Sequence, residues 1–465
     1  MTSEEYTTSA VLVKGKTEIP VSVRYSTRYS LLVRFENDSF SDNDTKFDNL
    51  IVIISGESIP LGPCQLIHQK EVDDNIGYLI SSEDIVDFGD LIFKHRKSIL
   101  QSGFVNLPFI LEQKEKIKQE FKDYTADLTY CLSVYRHLFD GMDEDYRDEP
   151  EDVKKSIQQA IIAKEGADFI RYFETRLQEL ERLVKGYTQV EHEQHGFYFR
   201  RQVWSFILAS ALLRRTNLKP RGYSGDSEMM RMIYKNEELG DSTFSKLMHK
   251  HPIEHPAAEA VRNRRKLIAE TLAQQRKSDH IPAGEQLKVL SVACGPAFEL
   301  NNLLKSKADC ERYEFTLFDQ DPLALDEAVQ LVAQIEKQLD ATIKVEYVQA
   351  SVRTMMTTRR LIKKLGNFDF IYSMGLFDYL TPPVAAAVFR NLYQLLQPGG
   401  ELIIGNFHVS STSRVYMEYW NDWVLYYRLE EDLLELVQGL SPAQQSVVFE
   451  DTRSQMFLRV RKPTN

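Results

Sequence analysis

A short loop of small residues and an aspartate further along the chain carry the clearest chemical signal in the sequence. The run Leu287 to Val292 predicts a strand, and the side chains of Ala293 to Ala297 are small enough for a ligand to lie against the backbone. Twenty-four residues after Gly295, Asp319 ends the next predicted strand, where a carboxylate can accept hydrogen bonds from both hydroxyls of a ribose. The positions after Gly295 lack the glycines that a pyrophosphate site needs. The pattern therefore favours a nucleoside cofactor without phosphates over a dinucleotide.

Polar residues also follow two later predicted strands. Asp378 and Tyr379 come after the fourth strand and His408 after the fifth. Because the carboxyl ends of parallel strands meet at one edge of a sheet, all three are expected beside the ligand, where any of them could orient a substrate. A surface histidine at His408 and a packing tyrosine at Tyr379 are the alternatives.

Alternating strands and helices from about residue 286 predict a doubly wound, Rossmann-like α/β sheet with helices on both faces. The candidate strands are Leu287 to Val292, Glu314 to Phe318, Lys344 to Val348, Phe368 to Tyr372 and Glu401 to Asn406. A helix is expected from about Pro383 to Leu396, with Thr381 as its cap and Pro398-Gly399-Gly400 as its stop. Ser446 to Glu450 and Gln455 to Val460 predict a C-terminal antiparallel hairpin.

The residues before 286 differ in composition and in hydrophobic pattern, and these differences predict three further parts. Residues 1–95 alternate short β-branched runs with polar turns, which indicates a small β-barrel or sandwich. Residues 96–215 predict a helical linker or bundle, and their apolar stripe from Ile170 to Val184 is too short for a coiled coil. Residues 216–285 are expected to form a helical lid before the α/β domain at 286–465. Packing of the stripe within the chain is favoured, and a homodimer is left open.

Composition excludes several classes of function. The 465 residues carry 57 Lys and Arg against 68 Asp and Glu, a net charge of −11, which disfavours a nucleic-acid partner. The longest apolar run, Trp204 to Leu213, is too short for a transmembrane helix, so no stable membrane insertion is expected. The start of the chain lacks a secretory signal, which predicts a cytoplasmic protein. The four scattered cysteines form no CxxC pair and predict neither a disulfide framework nor a zinc site.

Five segments, in order, resemble the motifs of class I S-adenosylmethionine-dependent methyltransferases. VLSVACGPA at 289–297 is similar to that family's first motif, and TLFDQDP at 316–322 to its second. Gln349-Ala350-Ser351 resembles its adenine-contacting turn, FDFIYSMGLFDYL at 368–380 its fourth strand, and LQPGGELII at 396–404 its fifth. The resemblance covers about residues 286 to 465 and implies a methyltransferase with S-adenosyl-L-methionine as cofactor.

The resemblance also implies a set of cofactor contacts at the ends of four strands. These are Ala293, Cys294, Gly295, Pro296, Asp319, Gln320, Ser351, Val352, Ser373, Met374 and Gly375. This sequence departs from the family pattern at Ser291, where an acidic residue is usual, at Ala293 and Ala297, which replace glycines, and at Ser351, where an Asp is frequent.

The segment before the first strand resembles a narrower subgroup, bacterial proteins assigned to the biosynthesis of hydroxy fatty acid methyl esters such as 3-hydroxypalmitic acid methyl ester. GYSGDSEMM at 222–230 and YMEYWNDW at 416–423 are similar to that subgroup's segments. A hydrophobic small molecule methylated on its carboxylate is the acceptor that this resemblance implies. Such an acceptor needs no base, whereas a hydroxyl or ammonium acceptor must lose a proton to a neighbour.

The lid segment offers further candidates. Tyr223 on a glycine-hinged turn is expected to close over the cofactor and to face the methyl group. Asp226 can belong to the same lid or serve as an N-terminal helix cap. Arg262 and Arg264 can pair with the cofactor carboxylate or with an acidic substrate through a bidentate fork, or lie on a solvated helix face. Tyr223, Tyr379 and His408 are the predicted catalytic residues, and Arg264 joins the predicted cofactor site.

Two clusters have competing interpretations. Met229, Met230, Trp420 and Trp423 suit an acyl pocket, although core packing is the more ordinary reading. His249, His251 and His255 lie close together, but Pro252 and Pro256 favour a polar loop over a metal site, and no metal is predicted.

The N-terminal part weakly resembles a PilZ domain. Arg24 to Arg28 has the RxxxR spacing of the domain that binds cyclic di-GMP, whereas Asn37 to Asp42 has Asp in place of the required glycine. Binding of cyclic di-GMP is therefore not expected. A protein side-chain methyltransferase recruited by the front domains and a non-catalytic cofactor-binding regulator are the alternatives to the small-molecule enzyme.

Overall fold

The protein is seen in a computed structural model, which describes residues 9–26, 31–35, 45–54, 57–72, 75–82, 114–275, 285–352 and 365–464. The chain divides into two compact units. The first comprises Met1–Leu111 with Tyr379–Ala385, and the second Glu112–Asp378 with Ala386–Asn465.

The first unit contains one antiparallel sheet. Its strands are β1 (Ser9–Lys14), β2 (Thr17–Ser26), β3 (Leu31–Phe35), β4 (Lys46–Phe47), β5 (Asn49–Ile54), β6 (Glu57–Pro60), β7 (Cys64–Val72) and β8 (Asn75–Ser82). They pair in the order β4-β7-β8-β3-β2-β1-β5-β6 around a core that includes Leu12, Leu31 and Leu50. Among the described residues no ladder joins β6 to β4, so the predicted closed barrel is not confirmed. Thr27, Arg28 and Asn37 to Asp42 of the PilZ-like segments lie outside the described residues.

The second unit begins with helices. These are α1 (Gln119–Asp145), α2 (Glu151–Val184), α3 (Gln189–Gln202), α4 (Trp204–Ala209), α5 (Ala211–Leu218), α6 (Ser227–Lys235), α7 (Thr243–Glu254) and α8 (Pro256–Gln275). The apolar stripe of α2 is buried within this chain, where the Phe173 ring lies 5.0 Å from the ring of Trp420. In the described part of the chain, no helix combines the length and the apolar character needed to cross a bilayer.

The second sheet confirms the α/β class. Its strands are β9 (Leu287–Val292), β10 (Tyr313–Asp319), β11 (Lys344–Gln349), β12 (Phe368–Ser373), β13 (Leu396–Phe407), β14 (Gln444–Phe449) and β15 (Gln455–Arg461), in the order β11-β10-β9-β12-β13-β15-β14. The first five strands are parallel, and β15 runs antiparallel to both β13 and β14, as the predicted hairpin requires. The remaining helices are α9 (Leu300–Leu303), α10 (Lys307–Cys310), α11 (Pro322–Leu339), α12 (Pro382–Gln394), α13 (Arg414–Tyr419) and α14 (Glu430–Glu435).

One expectation near β13 is wrong. Helix α12 ends at Gln394, and Pro398-Gly399-Gly400 lies inside β13 instead of stopping the helix. Gly400 packs so closely on β12 that a Cβ atom there would lie 3.0 Å from the Asp369 carbonyl oxygen. Gly400 therefore serves close strand packing, and Gly399 adopts a left-handed φ of 77° within the strand, so neither residue terminates the helix.

Candidate functional site

The loop after β9 keeps the backbone shape of a glycine-rich loop with only one glycine. Ala293, Gly295 and Ala297 have φ angles of 54°, 54° and 51°, all in the left-handed region. Side chains other than glycine pay about 1 kcal/mol or more in that region. The two alanines thus occupy glycine-type positions, and their strain is retained at the edge where the ligand is expected.

Asp319 holds this loop against the end of β10. Its Oδ2 accepts a hydrogen bond from the Gly295 N–H at 2.8 Å, and its Oδ1 accepts one from the Asp321 N–H at 2.9 Å. Burial raises the pKa of Asp319, while these backbone donors oppose the rise. Each oxygen retains a second lone pair, so the carboxylate can still accept hydrogen bonds from ribose hydroxyls. Gln320, the next residue, is exposed.

The ends of β11 and β12 complete the same edge. The Ala350 N–H donates to the Asp319 carbonyl oxygen at 3.0 Å, which places Ser351 and Val352 directly after β11 beside β10. On the other side of β9, the Ser373 hydroxyl donates to the Val292 carbonyl oxygen at 2.9 Å. The four parallel strands therefore gather the predicted cofactor residues at one carboxyl edge.

Arg264 reaches this edge from α8. Its guanidinium is buried and donates to the Met374 carbonyl oxygen at 3.2 Å and towards the Met230 sulfur at 3.4 Å. Gly375 leaves room for it, because a Cβ atom there would lie 3.3 Å from Arg264 Nη1. Arg262 instead donates to the Ile253 carbonyl oxygen at 2.7 Å. The two arginines thus have different roles, and only Arg264 faces the cofactor edge.

The lid segment is fastened at the β10 end of the site. The Tyr223 hydroxyl donates to Asp321 Oδ2 at 3.0 Å, and Arg221 donates to the same oxygen at 3.1 Å and to Glu327 at 2.7 Å. Burial and the neighbouring carboxylates raise the pKa of Tyr223, which keeps the phenol protonated. Asp226 caps α6 by accepting from the Met229 N–H at 2.9 Å. The segment therefore lies beside the expected ribose position, and a catalytic role for Tyr223 stays a prediction.

The residues after β12 and β13 diverge. Asp378 is buried, and its Oδ1 accepts from the Phe407 N–H at 2.7 Å. The His408 N–H donates to the Ser454 carbonyl oxygen at 2.9 Å, and its ring lies 5.2 Å from the ring of Phe449 in β14. His408 therefore leans towards the hairpin, away from β12. Tyr379 ends the 3₁₀ turn Phe377–Tyr379, and the proposed roles of Tyr379 and His408 stay predictions.

The three clustered histidines do not form a polar loop. His249 and His251 lie in α7, which contains Pro252, and His255 directly follows this helix. His251 bridges the Tyr416 hydroxyl at 2.8 Å and Glu174 at 2.9 Å, while His255 Nδ1 lies 2.6 Å from the Ser413 hydroxyl. Burial lowers the pKa values of His249 and His255 to about 4. No group of three metal-ligating side chains occurs within the described ranges.

A small apolar cavity, about 20 Å³ in volume, lies between α6, the junction of α7 with α8, and α13. Its apolar walls include Met229, Ile233 and Trp423, and His255 and Tyr416 contribute polar edges. Of the four residues predicted for an acyl pocket, two line this cavity. Trp420 belongs to the helical core, and Met230 contacts Arg264. Sequence reasoning missed His255 because the clustered histidines were assigned to a loop.

Comparison with known proteins gives one family match. Residues 289–400 match the family model described as a methyltransferase domain. A search of curated proteins found no match.

Several solved structures are similar to part of the chain. A possible exported protein from Bordetella parapertussis shares 18% identity and a TM-score of 0.44, covering 62% of this chain and 95% of its own. Magnesium protoporphyrin IX methyltransferase from Synechocystis, with bound S-adenosylmethionine, shares 14% identity and a TM-score of 0.32, covering 44% of this chain and 83% of its own. The N-methyltransferase NodS from Bradyrhizobium japonicum shares 15% identity and a TM-score of 0.30, covering 43% of this chain and 96% of its own.

The family match falls on β9 to β13, the strands whose carboxyl ends carry the loop, Asp319 and the residues after β12. Residues 289–400 are a methyltransferase domain, and the enzyme class predicted from the sequence, a methyltransferase that uses S-adenosyl-L-methionine, is confirmed.

Proposed function

We propose that this enzyme methylates the carboxylate of a hydrophobic small molecule, of which a hydroxy fatty acid is an example. The observation that carries the proposal is the apolar lining of a small cavity, formed by Met229, Ile233 and Trp423, because α6, which supplies the first two, also contacts Arg264 of the cofactor edge through Met230. An apolar lining suits an aliphatic chain better than a charged peptide side chain, and the cavity, about 20 Å³ in this structure, would have to widen to admit the chain.

The residues at the sheet edge fit an adenosyl cofactor with an amino-acid end. Asp319 would accept from the ribose hydroxyls, and Arg264 would donate to the cofactor carboxylate. The loop Ala293 to Ala297 offers backbone without bulky side chains. When bound, S-adenosylmethionine supplies a methyl group already activated by a sulfonium.

The chain's own contribution is placement and exclusion of water. An ionised carboxylate is already a nucleophile, so it needs alignment at near-attack distance and no proton acceptor. Tyr223 and Arg221 tie the lid segment to Asp321, which would hold α6 over the edge and shield the reacting centre.

Two measurements test the proposal. Titration calorimetry of S-adenosylhomocysteine into the wild type and Asp319→Ala is expected to show binding that the variant weakens by roughly 1 to 3 kcal/mol. Radiolabelled methyl transfer is then measured with hydroxy fatty acids and with a cell extract. A labelled, base-labile ester supports the proposal, whereas labelled protein without labelled lipid overturns the proposed acceptor.

A further inference from the structure

A buried glutamate lies next to the position where this chain lacks the acidic residue of the first motif. Ser291 in β9 is paired in register with Tyr372 in β12. The Tyr372 hydroxyl donates to Glu299 Oε1 at 2.6 Å, and Glu299 is only 9% exposed. The Glu299 carboxylate, from the turn after the loop, therefore lies near Ser291, where β9 has no acidic side chain.

Glu299 shares its surroundings with a buried cation. Burial raises the pKa of Glu299, and the guanidinium groups of Arg264 and Arg265 oppose that rise. Arg264 is also 9% exposed, yet no ion pair joins it to Glu299 or to any other carboxylate among the described residues. Two opposite buried charges that are not in contact cost free energy, which a ligand carrying both complementary charges would recover.

The structure assigns Glu299 and Arg264 to the two charges of a zwitterion: we propose that Glu299 accepts from the ammonium, and Arg264 donates to the carboxylate, of the cofactor's amino-acid end. This inference rests on the proposed function and assigns a partner to each charge of the cofactor's amino-acid end. Both groups flank the loop after β9, Glu299 just beyond it in sequence and Arg264 across it at Met374.

Tyr372 acts as a positioning residue in this arrangement. Its hydroxyl bond uses one oxygen of Glu299 and leaves the carboxylate with further lone pairs. Burial and the neighbouring Glu299 raise the pKa of Tyr372 well above its ordinary value, so the phenol donates rather than accepts. Tyr372 thereby fixes the direction in which Glu299 presents its charge.

Truncation of the ligand separates this site from the rest of the cofactor pocket. Calorimetry on the full chain uses S-adenosylhomocysteine, which has the amino-acid end, and 5′-methylthioadenosine, which lacks it. Glu299→Gln is expected to weaken S-adenosylhomocysteine binding by about tenfold or more, and methylthioadenosine binding by less than about twofold. Tyr372→Phe is expected to change affinity in the same selective way, by about threefold to tenfold.

A matched variant controls for loss of a buried phenol. The Tyr313 hydroxyl lies 3.5 Å from the Leu272 carbonyl oxygen, at the opposite end of the sheet, so Tyr313→Phe is expected to leave both affinities unchanged. Retained methylthioadenosine binding shows that each variant is folded. Equal weakening of both ligands, or no weakening, overturns the role of Glu299. Failure of the wild type to bind either ligand overturns the proposed function, and this inference with it.

Discussion

Asp319 accepts a hydrogen bond from the Gly295 N–H at 2.8 Å, and this contact joins the first two strands of the methyltransferase sheet at their carboxyl ends. The same carboxylate accepts from the Asp321 N–H, so its position is fixed before any ligand arrives. A preorganised acceptor of this kind loses little freedom when it binds a ribose.

The negative charge of Asp319, and not only the shape of its side chain, is therefore expected to contribute to cofactor binding. In Asp319→Asn, Oδ1 can still accept from Asp321, but the amide at the other position meets the Gly295 N–H donor to donor. We expect S-adenosylhomocysteine affinity to fall by roughly tenfold to a hundredfold, about 1.4 to 2.7 kcal/mol. Calorimetry beside thermal unfolding checks this. An unchanged affinity in a folded variant would remove Asp319 from the cofactor site.

The strained loop makes a prediction about stability. Ala293 is exposed with φ 54°, so glycine at this position relieves strain without removing a packed methyl group. Ala293→Gly is expected to raise the free energy of unfolding by about 0.5 to 1 kcal/mol, because the relief exceeds the added entropy of the unfolded chain. Ala297→Gly should gain less, since its methyl group is buried in the core. Urea unfolding of both variants tests the ranking, and a loss of stability in Ala293→Gly contradicts it.

Substitution of Tyr223 distinguishes a lid contact from a proton acceptor. Because its hydroxyl donates to Asp321, Tyr223→Phe removes one fastening of the lid and leaves the ring in place. We expect KM for the cofactor to rise by about threefold and kcat to change by less than about threefold. A fall in kcat of about a hundredfold or more, with KM unchanged, would instead make Tyr223 a general base.

Much of this site could be predicted from the sequence, because its residues lie at the ends of strands. Alternating strands and small-residue loops predicted β9 to β12 within one residue at each end, and hence the edge that Asp319 and Ser373 share. The partnership of Tyr372 with Glu299 was not predictable, because it joins residues 73 positions apart through packing. The direction of His408 also depends on its neighbours, since a residue after β13 can lean towards β12 or towards the hairpin. The loop prediction for the histidines was wrong because Pro252, a residue type that usually breaks a helix, lies inside α7 in this protein.

Burial of Asp378 predicts a pH-dependent stability. Burial raises the pKa of Asp378 from 3.8 to about 7, against the Phe407 N–H and the charges of Arg264 and Arg428. Between these values the folded protein holds a proton that the unfolded chain has lost, so this group's contribution to stability declines as pH rises through that window. Asp378→Asn does not titrate, and its stability relative to the wild type should therefore increase from pH 4 to pH 7.

Urea unfolding at about pH 5 and about pH 8 measures this difference. The exposed Asp148→Asn serves as control and is expected to show the same difference from the wild type at both pH values. If the difference in the free energy of unfolding between Asp378→Asn and the wild type is the same at both pH values, Asp378 is ionised in the folded protein across this range and the prediction is wrong.

The two tryptophans of the YMEYWNDW segment lie in different places: Trp423 lines the cavity, and Trp420 lies in the helical core. Trp420 is 1% exposed and its ring lies 5.0 Å from the rings of Phe173 and Phe199, so Trp420→Ala is expected to cost about 3 to 5 kcal/mol of folding stability. Thermal or urea unfolding measures this loss. A cost below about 1 kcal/mol would contradict the placement of Trp420 in the helical core.

Filling the cavity tests where the acceptor binds. Met229 lines the small cavity on α6, so Met229→Trp blocks the space that would have to widen for an aliphatic chain, while the cofactor edge keeps its residues. For a fatty acid acceptor found in the methyl-transfer assay, we expect KM to rise by about tenfold for long chains and less for short ones, since each buried CH₂ contributes about 0.8 kcal/mol. S-adenosylhomocysteine affinity should stay within about twofold of the wild type, which controls for misfolding. An equal rise in KM for long and short chains would place the acceptor outside this cavity, because only a ligand that occupies the space beside Met229 loses contacts in proportion to its length.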